Sequence, residues 1–507
     1  MPALRRRWSD TCTGQVKFMY PDIRELARRA MIERGFLAEI PEDARAEVET
    51  KAEPAFDALK IRDLRSLLWS SIDNDESRDL DQIEYAKSEP GGIRVYVGIA
   101  DVDWFVHEDS MLDRAAKHNT TSVYTGVRTF PMLPERLSTD LSSLNEGEER
   151  LAIVVEMLIT DDGRAVESSV YAAIVKNKAR LTYNGVAAWL EGAAGSSEID
   201  GEILSKIEAN PELQAQLRLQ DQAAEHLRKA RHEAGALAFH SSDVNPVVSA
   251  EGVVLDLEVR RQNRATALIE DLMIASNEAT AQFLDQNGFP SLRRVVNTPE
   301  RWDRIVSLAA SLGHKLPPQP DVKSLAEFLD AQRRTNPAHF PDVSLAVVKL
   351  LGRGEYVARA PRDNTPGHFA LAAHAYSHST APNRRFPDLI TQRLLKGVLA
   401  GASPAYSAGE LAALAAHCTE REDAANKVER SVKKCAAAVL LQNKIGHLFD
   451  GVVTGVTDRG TWARISHPPV EGKIIDHGGG LDVGDRVRLR LAFVNPERGF
   501  IDFELAN

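Results

Sequence analysis

The sequence is poor in cysteine. Its 507 residues include Cys12, Cys418 and Cys435 and no other cysteine. The three are widely separated and none forms a Cys-x-x-Cys pair, so the sequence offers neither a disulfide framework nor a zinc site. Any bound metal ion is therefore expected to have oxygen ligands.

Long apolar runs are also missing. No stretch reaches the roughly 18 apolar residues that a membrane-spanning helix needs. The basic start MPALRRRWSD is not followed by the apolar region of a signal peptide. We therefore expect a cytoplasmic protein without a membrane partner. Apolar residues make up 43% of the chain, which is enough for a large core.

The chain has a deficit of positive charge. Its net charge of -11 argues against a simple nucleic-acid-binding surface, because neutralising phosphates requires basic faces. Local basic patches on an acidic enzyme are still compatible with RNA binding. One such patch is the segment through Arg34, which has eight Lys or Arg residues against four Asp or Glu.

Residues 1–60 are predicted to form a small helical N-terminal domain. The segment PDIRELARRAMIERGFL has apolar residues at helical spacing, and PEDARAEVETKAEPAFDAL starts with a proline and early acids, as helices often do. Two interpretations are open: a helix-turn-helix that touches phosphates, or a solvated helical pair.

An unusual acidic run lies further along the chain. SIDNDESRDLDQ, residues 71–82, places Asp73, Asp79 and Asp81 within nine residues, with Asp75 and Glu76 between them. Like charges at this density repel one another, and a divalent cation would neutralise them. A solvated acidic loop is the simple alternative. The strand-like GGIRVYVGIADVDWFV that follows places the run beside a core, which favours a metal site.

A calcium-binding EF-hand loop is a second alternative. It needs a glycine at the sixth position and a helix on each side, whereas Arg78 holds that position and strand-like sequence follows. The residues that match EF-hand ligand positions are Asp73, Asp75, Ser77, Asp79, Asp81 and Glu84.

The remainder of the chain divides into two regions. Residues 61–440 mix strands with helical patterns at 220–234, 264–285 and 386–400, and have the size of a catalytic domain. Residues 445–507 change to short alternating runs separated by glycine, proline and aspartate. Five such strands in about 60 residues are typical of a small OB-type barrel.

A second motif begins at His378 and reads HSTAPNRRFPDLITQRLL. It places Arg384 and Arg385 just before an amphipathic helix. An arginine beside a helix start can bind a phosphate, because its planar guanidinium group can donate hydrogen bonds to two oxygens at once. Taken alone, this arginine pair fits a surface ion pair better than a phosphate clamp.

Together, the acidic run, HSTAPNRRFPDL and the barrel-like tail resemble the RNB family of 3′-to-5′ exoribonucleases, which includes ribonucleases II and R. Three further segments follow the order and spacing of the same family: residues 97–144, IEDLMIASNEATA from Ile269 and VERSVKK from Val428. The resemblance implies an α+β RNB catalytic fold with a C-terminal all-β OB-fold domain.

The resemblance also implies roles for the acidic run. Asp73, Asp79 and Asp81 would hold Mg²⁺, or Mn²⁺ in its place, with Gln82 at the fourth metal position. Asp81 and Arg384 would be catalytic, with Arg384 gripping the scissile phosphate.

RNA contacts are implied in the same way. Tyr124 matches an aromatic residue that stacks near the RNA 3′ end, and Phe239 matches its partner, although aromatic residues are more often part of a core. Glu270 and Glu429 match acids at the terminal nucleotides, but they also fit plain helix surfaces. The further RNA-binding candidates are Arg385 and His378.

Two positions depart from the family pattern. Gln82 stands where the family usually has a fourth aspartate, and its amide oxygen can ligate a cation but brings no charge. Asp75 or Glu76 is a candidate for the missing carboxylate. At the front, helices take the place of the family's cold-shock domains, so we expect those modules to be replaced.

The resemblance therefore implies a processive, magnesium-dependent exoribonuclease. It would hydrolyse single-stranded RNA from the 3′ end to nucleoside 5′-monophosphates, and we expect it to act as a monomer. The alternative is a catalytically weakened or inactive RNB-like RNA-binding protein, for which Gln82 is the main argument. An unrelated acidic metalloprotein, such as a calcium sensor, would have helices flanking Asp73.

Overall fold

The computed structural model describes most of the chain. The described residues are 22–193, 197–239, 243–249, 252–260, 262–337, 339–363, 367–457, 460–476 and 480–506. Cys12 and most of the basic N-terminal segment lie outside them. Among the described residues, no helix combines the length and the apolar character needed to cross a membrane.

The strands of the described residues, in chain order, are β1 (Arg62–Asp63), β2 (Trp69–Asp73), β3 (Gln82–Glu89), β4 (Gly92–Ala100), β5 (Val123–Tyr124), β6 (Thr129–Phe130), β7 (Glu149–Ile159), β8 (Ala165–Thr182), β9 (Asp243–Val248), β10 (Val254–Arg260), β11 (Ser291–Val296), β12 (Gly354–Arg359), β13 (Leu448–Thr457), β14 (Gly460–Ile465), β15 (Val470–Ile474), β16 (Arg486–Asn495) and β17 (Phe500–Leu505).

The helices are α1 (Ile23–Glu33), α2 (Glu42–Glu49), α3 (Met111–Asn119), α4 (Tyr183–Glu191), α5 (Glu198–Glu208), α6 (Pro211–Glu233), α7 (Arg264–Gln286), α8 (Trp302–Ser311), α9 (Val322–Thr335), α10 (Phe340–Leu351), α11 (Phe386–Leu399) and α12 (Ala408–Leu441). The helical patterns expected from the sequence at 264–285 and 386–400 correspond to α7 and α11. The pattern at 220–234 is part of α6, which begins earlier, at Pro211.

The central sheet has the strand order β1-β8-β2-β3-β4-β7, and β7 pairs with β8 as well. Because β8 is 18 residues long, its first part pairs with β7 and its last part runs parallel to β2. Apolar side chains alternate into the core; Trp69 and Ile83 are fully buried there. Helix α6 covers the other face of β3, where the Gln216 side chain accepts a hydrogen bond from the Ala86 N–H at 2.8 Å.

Both N-terminal helices pack onto this body. The apolar side of α1, with Ala27 and Met31, is buried against Val428 and Val432 of α12. Helix α2 packs on α3, where Glu47 accepts a hydrogen bond from the Leu112 N–H at 3.0 Å. The helices expected in residues 1–60 are therefore present, each docked on a different helix of the body.

The C-terminal strands form a closed barrel of order β13-β14-β15-β17-β16. All neighbours are antiparallel except β15 and β17, which run parallel. Leu489, Leu491 and Phe503 fill the interior and are fully buried. The five-stranded OB-type barrel expected from the alternating tail is confirmed, and the end of α12 packs against it through Ala438 and Leu441.

Close packing inside the barrel leads to a stability prediction. A Cβ added at Gly472 would lie 2.7 Å from the Ile501 carbonyl oxygen and 2.5 Å from the Phe503 ring. We expect Gly472→Ala to lower the free energy of unfolding by about 1–3 kcal/mol, because backbone on the neighbouring strand has to move. Denaturant unfolding measures this. Gly409→Ala is the control: it meets open space in α12 and should be neutral or stabilising by up to about 1 kcal/mol.

Candidate active site

The acidic run joins two neighbouring strands of the central sheet. Asp73 is the last residue of β2, and Gln82 is the first residue of β3. Asp79 and Asp81 lie between them, at the end of the connecting loop. Because strands and not helices flank this loop, the EF-hand and calcium-sensor alternatives are excluded.

The loop is held in place by hydrogen bonds to its backbone. The Ser143 hydroxyl accepts from the Leu80 N–H at 3.0 Å and donates to the Arg78 carbonyl at 2.8 Å. The guanidinium of Arg180, which is on β8, donates to the carbonyl of Ser77 at 2.7 Å. A loop fixed in this way presents its carboxylates in a defined arrangement, although they repel one another.

The start of α11 meets this loop at Asp81. Nε of Arg384 donates to one Asp81 carboxylate oxygen at 2.9 Å, and the backbone N–H of Asn383 donates to the other at 3.1 Å. Asp81 is only 2% exposed, whereas the Arg384 side chain is 42% exposed. The two motifs that are about 300 residues apart in the sequence therefore form one site, with the arginine on its accessible side.

Asp81 is in an unfavourable position for a negative charge. Burial raises the pKa of its carboxyl group to about 7, with the Asp79 charge adding to the rise and Arg384 opposing it. Burial also raises the pKa of Asp73, while its hydrogen bond from Asn74 and the charge of Arg384 act against that rise. A site with this electrostatic profile favours a bound cation.

Tyr124 connects the acidic loop to α12. Its hydroxyl donates to the Asp79 carboxylate at 3.3 Å, and its backbone N–H donates to the Glu429 carboxylate at 3.0 Å. The side chain is 40% exposed, so it is not a core aromatic. The structure therefore brings together Asp79, Tyr124 and Glu429 from three separate segments.

These side chains line a cavity of about 800 Å³. Asp73, Asp79, Tyr124, Arg384 and Glu429 were expected from the sequence, and Glu76 also lies in the wall. Asp81 is buried behind Arg384, and Gln82, at the start of β3, is also buried.

Several lining residues were missed by the sequence analysis, among them Arg24, Tyr183 and Lys433. Tyr183 follows β8 directly, and β8 lies beside β2 with Thr182 opposite Asp73. Nothing in the sequence indicates this parallel pairing. The position of Lys433 could have been predicted, because it lies four residues after Glu429 and therefore on the same face of the same helix. Arg24 belongs to the basic segment considered above for phosphate contacts.

The structure does not bring four other candidates into the cavity wall. Phe239 packs against the buried cluster of α8, α9 and α10. His378 lies between the Tyr356 and Tyr376 rings and hydrogen-bonds the Tyr356 hydroxyl at 2.9 Å.

Arg385 and Glu270 also have partners within the protein. Arg385 donates to Asp388 at 2.7 Å at the start of α11. Glu270, exposed on α7, accepts a hydrogen bond from Gln262 at 3.3 Å. RNA-binding roles for Phe239, His378, Arg385 and Glu270 stay predictions.

The residues around the loop fit a hard divalent cation by donor type. All the candidates offer oxygen atoms, which Mg²⁺ and Mn²⁺ prefer. In the part of the chain that the structure describes, no three His, Cys, Asp or Glu side chains are close enough to hold an ion by themselves. Glu84, two residues after Gln82 on β3, is fully buried, and neither of its carboxylate oxygens has a hydrogen-bond partner among the described residues.

Known proteins with this fold include nucleases and a pseudonuclease. The chain is 31% identical over 510 residues to ribonuclease R of Escherichia coli, an alignment that covers 93% of this chain and 59% of that protein. It thus spans about three-fifths of the length of that relative.

Among solved structures, Mycoplasma genitalium RNase R in complex with ribose-methylated single-stranded RNA superposes with a TM-score of 0.83 at 22% identity, covering 96% of this chain and 78% of that one. Yeast Ssd1, described as a pseudonuclease, superposes with a TM-score of 0.69 at 17% identity, covering 94% of this chain and 58% of that one.

Two protein families match along the chain. Residues 447–506, which contain the barrel, match the RNase II-type exonuclease C-terminal S1 domain. Residues 61–401, which contain the acidic loop, Tyr124 and the start of α11, match the RNB domain. The chain therefore belongs to the RNB family.

Proposed function

We propose that this chain is a processive 3′-to-5′ exoribonuclease that uses Mg²⁺ to hydrolyse single-stranded RNA to nucleoside 5′-monophosphates. The observation that carries the proposal is the contact of Arg384 with Asp81 beside a cavity lined by Asp73, Asp79 and Tyr124. This places carboxylates, a guanidinium and an accessible aromatic ring at one point. The similarity to ribonuclease R supports the same reaction.

The carboxylates and the arginine have complementary tasks. Asp73, Asp79 and Asp81, with the amide oxygen of Gln82, would hold Mg²⁺, or Mn²⁺ in its place. The bound cation supplies an activated water and stabilises the leaving oxygen. Asp81 positions Arg384 by accepting a hydrogen bond from the Nε of the arginine. The accessible part of the guanidinium can then bind phosphate oxygens and offset the negative charge that develops during hydrolysis.

Side chains on the cavity wall suit a single strand of any sequence. The Tyr124 ring offers a stacking surface, and its backbone is held by Glu429. Arg24 and Lys433 add positive charge to the same wall, which favours the phosphate backbone. A strand held by stacking and by charge can advance without sequence preference, as processive degradation requires.

A catalytically weakened RNB-like RNA-binding protein is the second candidate. The observation that favours it is Gln82, which follows Asp81 directly as the first residue of β3 and carries no charge. The pseudonuclease Ssd1 has the same fold. In this case the cavity would bind RNA without cutting it.

The proposal extends to organisation and location. We infer three parts: residues 1–60 as a helical N-terminal part, 61–440 as the RNB catalytic part, and 445–507 as the OB-fold RNA-binding part. The protein is proposed to act as a monomer in the cytoplasm.

Asp81→Asn tests the exoribonuclease directly. The amide keeps the shape but has one oxygen in place of two, so it can accept only one of the two hydrogen bonds from Arg384 and Asn383. It also removes one charge from the cation site. We expect cleavage to fall by about 10²-fold or more, with RNA retention unchanged. The measurement is shortening of a 5′-labelled oligonucleotide with Mg²⁺, alongside a filter-binding assay.

The matched control is Asp303→Asn on the exposed surface of α8, which should cleave like the unaltered chain. Retention of the oligonucleotide without any shortening by the unaltered chain would support the RNA-binding candidate instead.

Tyr124→Ala tests the stacking role. Loss of the ring should weaken binding of single-stranded RNA by about 1–3 kcal/mol, measured by fluorescence anisotropy with Asp81→Asn as the background. Trp104→Ala is the control, since Trp104 is similarly exposed, at 38%, and is not part of the cavity wall. Equal affinities for the two variants would rule out stacking on Tyr124.

A further inference from the structure

A second cavity lies next to the active-site cavity, where α12 meets the β9–β10 hairpin and the C-terminal barrel. Its volume is about 310 Å³. The hairpin and the barrel supply its apolar wall, which includes Val244, Leu257, Val470 and Ile501. Helix α12 supplies most of its polar wall, which includes Glu429, Arg430, Lys433 and Lys434. We call this cavity the α12 groove.

The α12 groove and the active-site cavity have walls in common. Glu429 and Lys433 of α12 line both of them. Strand β9 also lines both, with Val244 in the groove and the next residue, Asn245, in the cavity. The groove therefore continues the active-site cavity along α12 toward the barrel.

The hairpin that forms one side of the groove is packed on two sides. Leu257 is buried in the same apolar cluster as Ala438 of α12 and Ile501 of the barrel. Val254, on the same strand, is buried with Ile23 of α1 and Cys435 of α12. Because these contacts hold the hairpin in place, the groove is formed before any ligand binds, and filling it requires little ordering of the protein.

Positive charge is concentrated on the part of α12 that lines the groove. Arg430, Lys433 and Lys434 lie within five residues, in a chain whose net charge is -11. Arg430 and Lys434 are exposed, and they are four residues apart, so two like charges are neighbours on the helix surface, which is unfavourable. In the part of the chain that the structure describes, neither of these two side chains takes part in an ion pair.

The carboxylates in the groove wall are engaged elsewhere. Glu429 accepts the hydrogen bond from the Tyr124 N–H at 3.0 Å, and Glu471 of β15 accepts one from the Thr454 hydroxyl at 3.1 Å. An anionic ligand would relieve the repulsion between Arg430 and Lys434. A ligand with apolar surface as well as negative charge would also match the hairpin and barrel side of the groove.

We propose that the α12 groove binds single-stranded RNA upstream of the 3′ end that occupies the active-site cavity. This inference rests on the proposed function, because it takes the same substrate. Arg430 and Lys434 each bind a backbone phosphate, while sugars and bases contact the apolar wall without sequence preference. The strand then passes Lys433 and Glu429 to reach Tyr124. The alternative is a seam between two parts of the protein that binds nothing.

Arg430→Gln combined with Lys434→Gln separates these alternatives. Both side chains are exposed, so the double variant should fold normally. We expect the slope of log K against log salt concentration to become less negative by about 1.4, because each phosphate contact on a single strand contributes about 0.7. The measurement is fluorescence anisotropy of a labelled strand long enough to extend through the groove. It uses the full-length chain with Asp81→Asn, so that the strand stays intact.

Two controls show whether the effect belongs to the groove. Lys229→Gln combined with Arg304→Gln removes the same charge from exposed positions on α6 and α8, outside both cavities, and should leave the slope unchanged. A trinucleotide, which is too short to fill the cavity and the groove together, should bind equally well with and without Arg430 and Lys434. An unchanged slope in the groove variant, an equal loss in the surface control, or an equal loss for the trinucleotide would each overturn the inference.

The outcomes distinguish this inference from the proposed function. Binding that depends on Arg430 and Lys434, in a chain that does not shorten RNA, would overturn the exoribonuclease and keep the groove. RNA shortening together with binding that ignores both cations would overturn only the groove. A chain that binds no single-stranded RNA would overturn both.

Discussion

The active site depends on one salt bridge, between a buried carboxylate and a partly exposed arginine. Asp81 and Arg384 are 303 positions apart in the sequence, and their side chains meet at 2.9 Å. The second oxygen of Asp81 accepts the Asn383 N–H, so both oxygens of the carboxylate are used. Removing Arg384 would leave the buried Asp81 carboxylate without its charged partner. This contact therefore fixes α11 relative to the end of the acidic loop.

Other parts of the site follow from that contact. The Arg384 carbonyl accepts the Ser122 N–H at 2.9 Å, so the segment before β5 has a fixed position relative to α11. Tyr124, two residues later, thereby reaches Asp79, and Glu429 on α12 holds its backbone. Helix α12 also packs against α1 and against the barrel. It therefore supports three parts of the molecule at once: the cavity, the N-terminal helix α1 and the C-terminal domain.

Local patterns explain what the sequence could predict. The alternating tail predicts the barrel, because its period of two is visible within each strand. The apolar residues Ile72 and Leu80 in the acidic run predict that the run lies beside a core, and both are buried in the structure. The motif around Arg384 was linked to the aspartates only through family resemblance, since no local pattern predicts a contact over 303 positions.

Long-range pairing explains what the sequence did not predict. Tyr183 enters the cavity because β8 runs parallel to β2, a pairing without a local signal. Phe239 is an isolated aromatic in the sequence, and it joins the core of α8, α9 and α10.

The fold alone does not determine whether such a site cuts RNA, because an RNase R and a pseudonuclease share it. A difference in activity therefore has to come from side chains. Gln82 is paired in register with Ile99, and Glu84 with Val97, so backbone hydrogen bonds position both residues whatever their side chains are. Exchanging an acid for an amide at position 82 therefore changes the charge at the end of the sheet while the strand stays in place.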